Sequence, residues 1–185
     1  MNPAHAHLTQ PSPWVKRFAA LIAPAGRVLD VACGGGRHAR LLASRGHPVE
    51  AVDRDAVALA ELTGVGGVTT HCADLEGGPW PYAGERFAAI VVANYLHRPL
   101  LPLFVDALEQ GGVLIYETFM VGNEKFGRPS NPDFLLRPDE LLEFARGRLQ
   151  VVAFEQGEVS RPKPAMVQRL CAARSAAPGR LPPGW

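Results

Sequence analysis

Between residues 27 and 118 the chain alternates short apolar runs with segments of helical spacing, and this alternation restricts the fold more than any other feature of the sequence. Residues 27–32, 48–53, 68–73, 87–93 and 113–118 read as strands. The fourth is an unbroken apolar run of the kind covered on both faces. Residues 37–45, 55–62 and 101–109 read as helices, the second capped by Asp55. Gly46, Gly64 and the Gly111-Gly112 pair stand where these helices should stop. A further helix is expected over 14–22, where Trp14, Phe18, Leu21 and Ile22 share one face. Another is expected over 138–146, with Pro138, Asp139 and Glu140 in its first turn. Two last strands, 149–155 and 166–173, flank Arg161-Pro162-Lys163-Pro164 with no helix between them. The expectation is an α/β fold: a mainly parallel sheet with helices on both faces, closed at one edge by an antiparallel hairpin.

The 185 residues, 47% hydrophobic and 20% charged, suit one domain, expected over 1–175 with flexible tails over 1–10 and 176–185. With 19 basic against 18 acidic side chains the net charge is +1, which offers no attraction for nucleic acid. No apolar run reaches the ~18 residues of a membrane span. The first ten residues lack the basic-then-apolar layout of a secretory signal. Cys33, Cys72 and Cys171 are odd in number and without CxxC spacing. They point to reduced thiols in a cytoplasm, not to disulfides or a metal site.

The segment from Val28 to Arg37, Val-Leu-Asp-Val-Ala-Cys-Gly-Gly-Gly-Arg, carries the chemistry. A strand ends in a bend nearly free of side chains, and a helix begins at once. Glycine there allows a tight turn and close approach of a ligand to the main chain, although a turn without a ligand has the same look. Asp53 ends the second strand 23 residues beyond Asp30. In a strand–helix–strand unit its carboxylate falls beside the glycine bend, within reach of ribose hydroxyls. A capping role for Asp53 is the alternative, but Asp55 fits that role better. Asp74 follows the third strand on the same edge, as a partner for an exocyclic amine or as an ordinary loop acid.

Asp30-x-Ala32-x-Gly34-x-Gly36 resembles the first motif of class I S-adenosylmethionine (SAM)-dependent methyltransferases, Asp/Glu-x-Gly-x-Gly-x-Gly. Asp53 is similar to their ribose-binding acid, Asp74-Leu75 to their adenine-contacting pair, and Ala93-Asn94-Tyr95 to their segment after the fourth strand. The resemblance implies a Rossmann-like three-layer sandwich on a seven-stranded sheet, with SAM as cofactor and S-adenosylhomocysteine (SAH) as product. It implies that Asp30 holds the methionine amino group, Asp53 the ribose, and Asp74 with the Leu75 backbone the adenine. Ala32, Cys33, Gly34, Gly36, Arg54 and Asn94 would complete the cofactor site. Ala32 departs from the motif by replacing its first glycine.

The acceptor belongs on the same edge of the sheet. His97, in Asn94-Tyr95-Leu96-His97-Arg98, is a candidate general base, or else a residue that orders the loop. Tyr95 lines the methyl path or packs. The tetrad [Asp/Asn]-Pro-Pro-[aromatic] of amino-methyltransferases is absent. Residues 121–137 form a connection longer than most in compact domains, and read as an ordered loop over the acceptor. Glu117, Phe119, Phe126 and Arg128 are its candidate substrate-binding residues, an exposed Arg128 being the bland alternative. This stretch and the short N-terminus resemble small bacterial methyltransferases of the tellurite-resistance type. The N-terminal helix either closes over the cofactor or packs in the core. The expected function is methyl transfer to a small molecule by a monomer or homodimer, with no nucleic-acid or membrane partner and no metal. The competing classes are a catalytically silent SAM-binding module and a nicotinamide-dependent oxidoreductase. The last needs G-x-G-x-x-G and meets Ala39 at its third glycine.

Overall fold

The computed structural model describes residues 9–175 and 181–182, and the expected tails otherwise lie outside the described residues. Seven strands form one sheet in the order β3-β2-β1-β4-β5-β7-β6. They are β1 (Val28–Val31), β2 (Val49–Asp53), β3 (Val68–Cys72), β4 (Phe87–Ala93), β5 (Leu108–Phe119), β6 (Gln150–Val159) and β7 (Ala165–Ala173). The first five run parallel, whereas β7 pairs antiparallel with both β5 and β6. The expected Rossmann-like sandwich with its terminal hairpin is the observed fold. Strand order reverses direction between β1 and β4, the switch point outside whose carboxyl ends such sheets bind ligands.

Side chains alternate along each strand, so the sheet has two distinct apolar faces. Helices α1 (Pro13–Phe18) and α2 (Arg37–Ser44) cover one of them. There Trp14, Phe18 and Leu42 meet Val28, Val91, Ile115 and Cys171. Helices α4 (Leu101–Ala107) and α5 (Glu140–Ala145) cover the other, where Phe104, Leu141 and Phe144 meet Leu29, Ile90, Leu114 and Leu170. Trp14, Val15 and Phe18 are buried, so the N-terminal helix packs in the core, and the chain leaves it through a 3-10 turn over Ala19–Leu21. Helix α3 (Ala56–Ala60) is shorter than expected. Its cap is Asp55, whose Oδ1 accepts from the N–H groups of Val57 at 2.9 Å and Ala58 at 3.1 Å.

Of the boundaries that differ from the sequence expectation, two change the part a residue plays. The helix expected over 101–109 stops at Ala107, and β5 begins at Leu108, ahead of the glycine pair. Phe87 pairs with Leu108 and Ala89 with Val113, so Gly111 and Gly112 lie in a bulge inside the strand. Gly111 has φ 82°, and a side chain on Gly112 would meet the Glu109 carbonyl oxygen at 2.9 Å. The glycines permit the bulge and do not end a helix. Helix α5 begins at Glu140, not Pro138, with Asp139 before it at φ 60°.

Candidate functional site

The carboxyl ends of β3, β2, β1 and β4 lie side by side and bring most of the expected site residues to one rim. Asp30 sits on the α2 face of β1, 1% exposed, and its Oδ2 has no hydrogen-bond partner. Burial pushes its pKa from 3.8 up to about 7; the Ala39 N–H and the Arg37 charge oppose that rise, and Asp53 adds to it. A buried acid with an unused oxygen is costly unless something charged or donating arrives to meet it.

Ala32 follows with φ 51°, a left-handed conformation that explains why glycine suits this position in related motifs. Gly34, at φ 54°, has nothing within 4 Å of where a side chain would start, so its backbone faces open space. Gly36 is different, because a side chain there would run into Leu62. Cys33 is buried in the bend with its thiol pKa raised, first by burial and then by Asp30 and Asp53. It forms an apolar wall and is not a nucleophile. Asp53 clamps the bend: its Oδ2 accepts from the Gly34 N–H at 2.8 Å, and its Oδ1 accepts from the Asp55 N–H at 2.9 Å. Each oxygen keeps a further lone pair for a hydroxyl.

Asp74 is exposed, and its Oδ1 accepts from the Glu76 N–H at 3.0 Å. That bond, the Gly77 N–H and the nearby Arg54 and His97 side chains hold its carboxyl below the usual range. Leu75 beside it is buried. After β4, Asn94 turns the chain at φ 58°, its N–H donating to the Glu117 carbonyl at 2.9 Å. The Tyr116 hydroxyl donates to the Tyr95 carbonyl at 2.9 Å and so fixes this loop from below. The Tyr95 hydroxyl is buried without a partner at bonding geometry. Burial, together with the carboxylates of Glu76 and Asp74, pushes its pKa up. His97 is half-buried near Asp74, just ahead of the 3-10 turn Arg98–Leu100.

The expected acceptor residues are less uniform. Glu117 is 7% exposed and already engaged, its Oε2 accepting from Arg169 Nε at 2.6 Å. Phe119 ends β5 half-buried, while Phe126 and Arg128 are exposed on the loop that follows. That loop is anchored. Asn123 is buried, donating to the Pro129 carbonyl at 3.0 Å and accepting from the Met166 N–H at 3.2 Å.

Two arginines to which sequence reasoning gave no role stand at the rim, and one of them ties its loops together. Arg98 Nε donates to Glu140 Oε1 at 2.6 Å, and its Nη atoms donate to the carbonyls of Asp133 at 2.8 Å and Leu135 at 2.9 Å. It thereby ties the loop after β4 to the loop after β5. Arg37, the first residue of α2, lies beside Asp30 and Glu117, and burial lowers its pKa. Its place directly after the glycine run was the available signal. Among the described residues, no cluster of His, Cys, Asp and Glu could hold a metal, and no helix is long and apolar enough to cross a membrane.

Residues 28–112 match the family model of a methyltransferase domain. The fold is similar to that of TehB from Haemophilus influenzae, at 19% identity and TM-score 0.74 over 89% of this chain, which spans 62% of that protein's length. A SAM-dependent methyltransferase from Methanosarcina mazei is similar over 91% of this chain and 100% of its own, at 14% identity and TM-score 0.70. The 1,6-didemethyltoxoflavin-N1-methyltransferase of Burkholderia thailandensis, solved with 1,6-didemethyltoxoflavin and SAH bound, is similar over 88% and 77% of the two chains, at 20% identity and TM-score 0.62. No protein of the curated set matches this chain in sequence.

The match over residues 28–112 and the seven-stranded sheet with its terminal hairpin give this chain the fold of the SAM-dependent methyltransferases it is similar to. Among them, the fold of TehB and of a TehB-like methyltransferase from Corynebacterium glutamicum is similar to this one.

Proposed function

We propose that the protein transfers the methyl group of SAM to a small-molecule acceptor, with residues 1–175 acting as one domain. The observation that carries the reading is the placement of three carboxylates, Asp30, Asp53 and Asp74, on adjacent strand ends around a bend whose Gly34 faces open space. The residues fit the cofactor: Asp30 offers an unpaired buried oxygen to an ammonium group, and Asp53 offers acceptor capacity to two ribose hydroxyls. Asp74 and the Leu75 N–H face an adenine edge. Ala32, Cys33, Gly34 and Gly36 give the cofactor a backbone to lie on, flanked by Arg54 and Asn94.

SAM supplies a carbon already activated by the sulfonium, so the protein's main task is to hold the acceptor in line with it. His97 takes the proton of an acceptor that arrives protonated, and Tyr95 borders the methyl path. The anchored loop over 121–137, with Phe119, Phe126 and Arg128, covers the acceptor. Glu117 joins it through its pairing with Arg169. A small acceptor is supported by the similar methyltransferase structure with 1,6-didemethyltoxoflavin bound, and by a net charge of +1 that does not favour nucleic acid. The three free cysteines accord with the cytoplasm, and a monomer or homodimer suffices for the chemistry.

Melting with added ligands tests the reading. SAM and SAH should raise the melting temperature and NAD should not, and labelled SAM should then pass its methyl to a member of a small-molecule acceptor panel. A shift with NAD alone would sink the proposal, and SAH binding without turnover on any acceptor would leave a silent binding module. In the active enzyme, His97→Ala should slow turnover with SAM affinity nearly intact. Equal loss of both would make His97 a cofactor contact.

A further inference from the structure

The two rim arginines are anchored in different places. Arg37 donates from Nη1 to the Gln10 carbonyl at 3.0 Å, just ahead of α1. Arg98 spends almost its whole guanidinium on the segment that follows β5. Its Nε and Nη2 grip the two carboxylate oxygens of Glu140 at 2.6 and 3.0 Å, while Nη1 donates to the Asp133 carbonyl at 2.8 Å and Nη2 to that of Leu135 at 2.9 Å. Such a forked contact fixes orientation as well as distance. Glu140 is 6% exposed, and its Oε2 also accepts from the Arg137 N–H at 2.8 Å. Burial alone would raise the Glu140 pKa, but Arg98 and the Arg137 N–H more than offset it and hold the carboxyl below its usual range.

The other end of the loop after β4 is held from β5 as well, by the Glu117 carbonyl on the Asn94 N–H and by the Tyr116 hydroxyl on the Tyr95 carbonyl. His97 stands between these two fixings. Its carbonyl accepts from the Leu100 N–H at 3.0 Å, yet among the described residues its ring makes no hydrogen bond. A held backbone and an uncommitted ring suit a group that must meet a proton on an incoming molecule. Misplacing such a group by about 1 Å costs on the order of 100-fold in rate. Resting on the reading of His97 as the acceptor's base, we infer that Arg98 is a positioning residue. By joining the loop after β4 to the loop after β5, it makes the two open and close as one unit and sets where His97 meets the acceptor. Asp30, Asp53 and Asp74 are not among its partners, so cofactor affinity lies outside its reach.

Amide hydrogen exchange with SAH present tests the assignment. The Leu100 N–H reports on the first loop, and the Leu136 N–H, bonded to the Phe119 carbonyl at 3.0 Å, reports on the second. In wild type the two should be protected alike, as parts of one opening. Arg98→Lys keeps the charge but loses the fork, and should speed both by about tenfold or more, with Arg98→Ala faster still. Glu140→Gln should reproduce the pattern, and a melt of each variant confirms that it is folded. The SAH dissociation constant should stay within about twofold of wild type in calorimetry, while kcat on an acceptor from the panel falls by about 10- to 100-fold. With histidine labelled at Cε1, the His97 resonance, assigned by its loss in His97→Gln, should broaden or split in Arg98→Lys. Those of buried His38 and His47 should stay in place, which a general loss of stability would not allow. Faster exchange in one loop alone or in neither overturns the assignment, as does an unchanged His97 resonance or an unchanged kcat. SAH affinity lost in step with the loops would put Arg98 in the cofactor half, and overturns it equally. Wild type that fails to bind SAH would bring down the SAM reading, and exchange without SAH would still judge the coupling of the loops.

Discussion

Asp30 and Glu117 are both buried acids on the α1–α2 face of the sheet, and they are treated in opposite ways. Glu117 lies on the antiparallel side, where β7 supplies Arg169, and that arginine also reaches Glu155 on β6 at 3.3 Å. Asp30 lies on the parallel side, 1% exposed, with one oxygen left without a partner. The hairpin half of the sheet is internally stapled, while the half around the switch point holds polar groups in reserve. Groups held back at a cost to stability are what a ligand site requires, and paired groups are what a scaffold requires.

Removing one member of the stapled pair should have the largest effect on folding. Glu117→Gln leaves Arg169 with only the more exposed Glu155, and should destabilise the protein by about 2–3 kcal/mol in denaturant melts. A loss under ~0.5 kcal/mol would erase the contrast between the two halves.

Asp30→Asn should act in the other direction on stability. Burial lifts Asp30 from 3.8 to about 7, so between those values the folded chain holds a proton that the unfolded chain has released. Wild-type stability therefore carries a contribution that falls as pH rises through that window and is flat above it. The Asn variant lacks this slope and should melt above wild type at pH 8, yet bind SAH at least about tenfold more weakly. Parallel melting curves for the two proteins from pH 4 to 8 would contradict the assignment.

Asp53→Ala removes both the clamp on Gly34 and the ribose acceptor, and should weaken SAH binding by roughly 1–3 kcal/mol in calorimetry. An unchanged dissociation constant would count against that role. Ala32→Gly should have the smallest effect. Relief of the positive φ is offset by the greater freedom of glycine in the unfolded chain, which leaves a gain of about 0.5 kcal/mol. A clear loss would mean that the Ala32 methyl matters for packing against the neighbouring core.

The parallel half of the sheet was legible because strand period, glycine bend and strand-end acids are all local signals. Asp55 as a cap and Asp53 beside Gly34 followed from the same spacing. The bulge at Gly111-Gly112 was not legible: two glycines after a helix read as a stop, and only pairing with β4 turns them into part of a strand. The anchoring roles of Arg98 and Arg37 were hidden for another reason. Their partners Glu140 and Gln10 lie 42 and 27 residues away, at separations where an exposed arginine looks like any other.

The most direct test of the central claim is a crystal structure of the protein soaked with SAH. The account predicts the adenosyl group along the carboxyl ends of β1, β2 and β3, with both ribose hydroxyls at hydrogen-bond distance, about 2.7 Å, from Asp53. A nucleoside bound elsewhere, or a rim that stays closed to it at saturating SAH, would contradict the account.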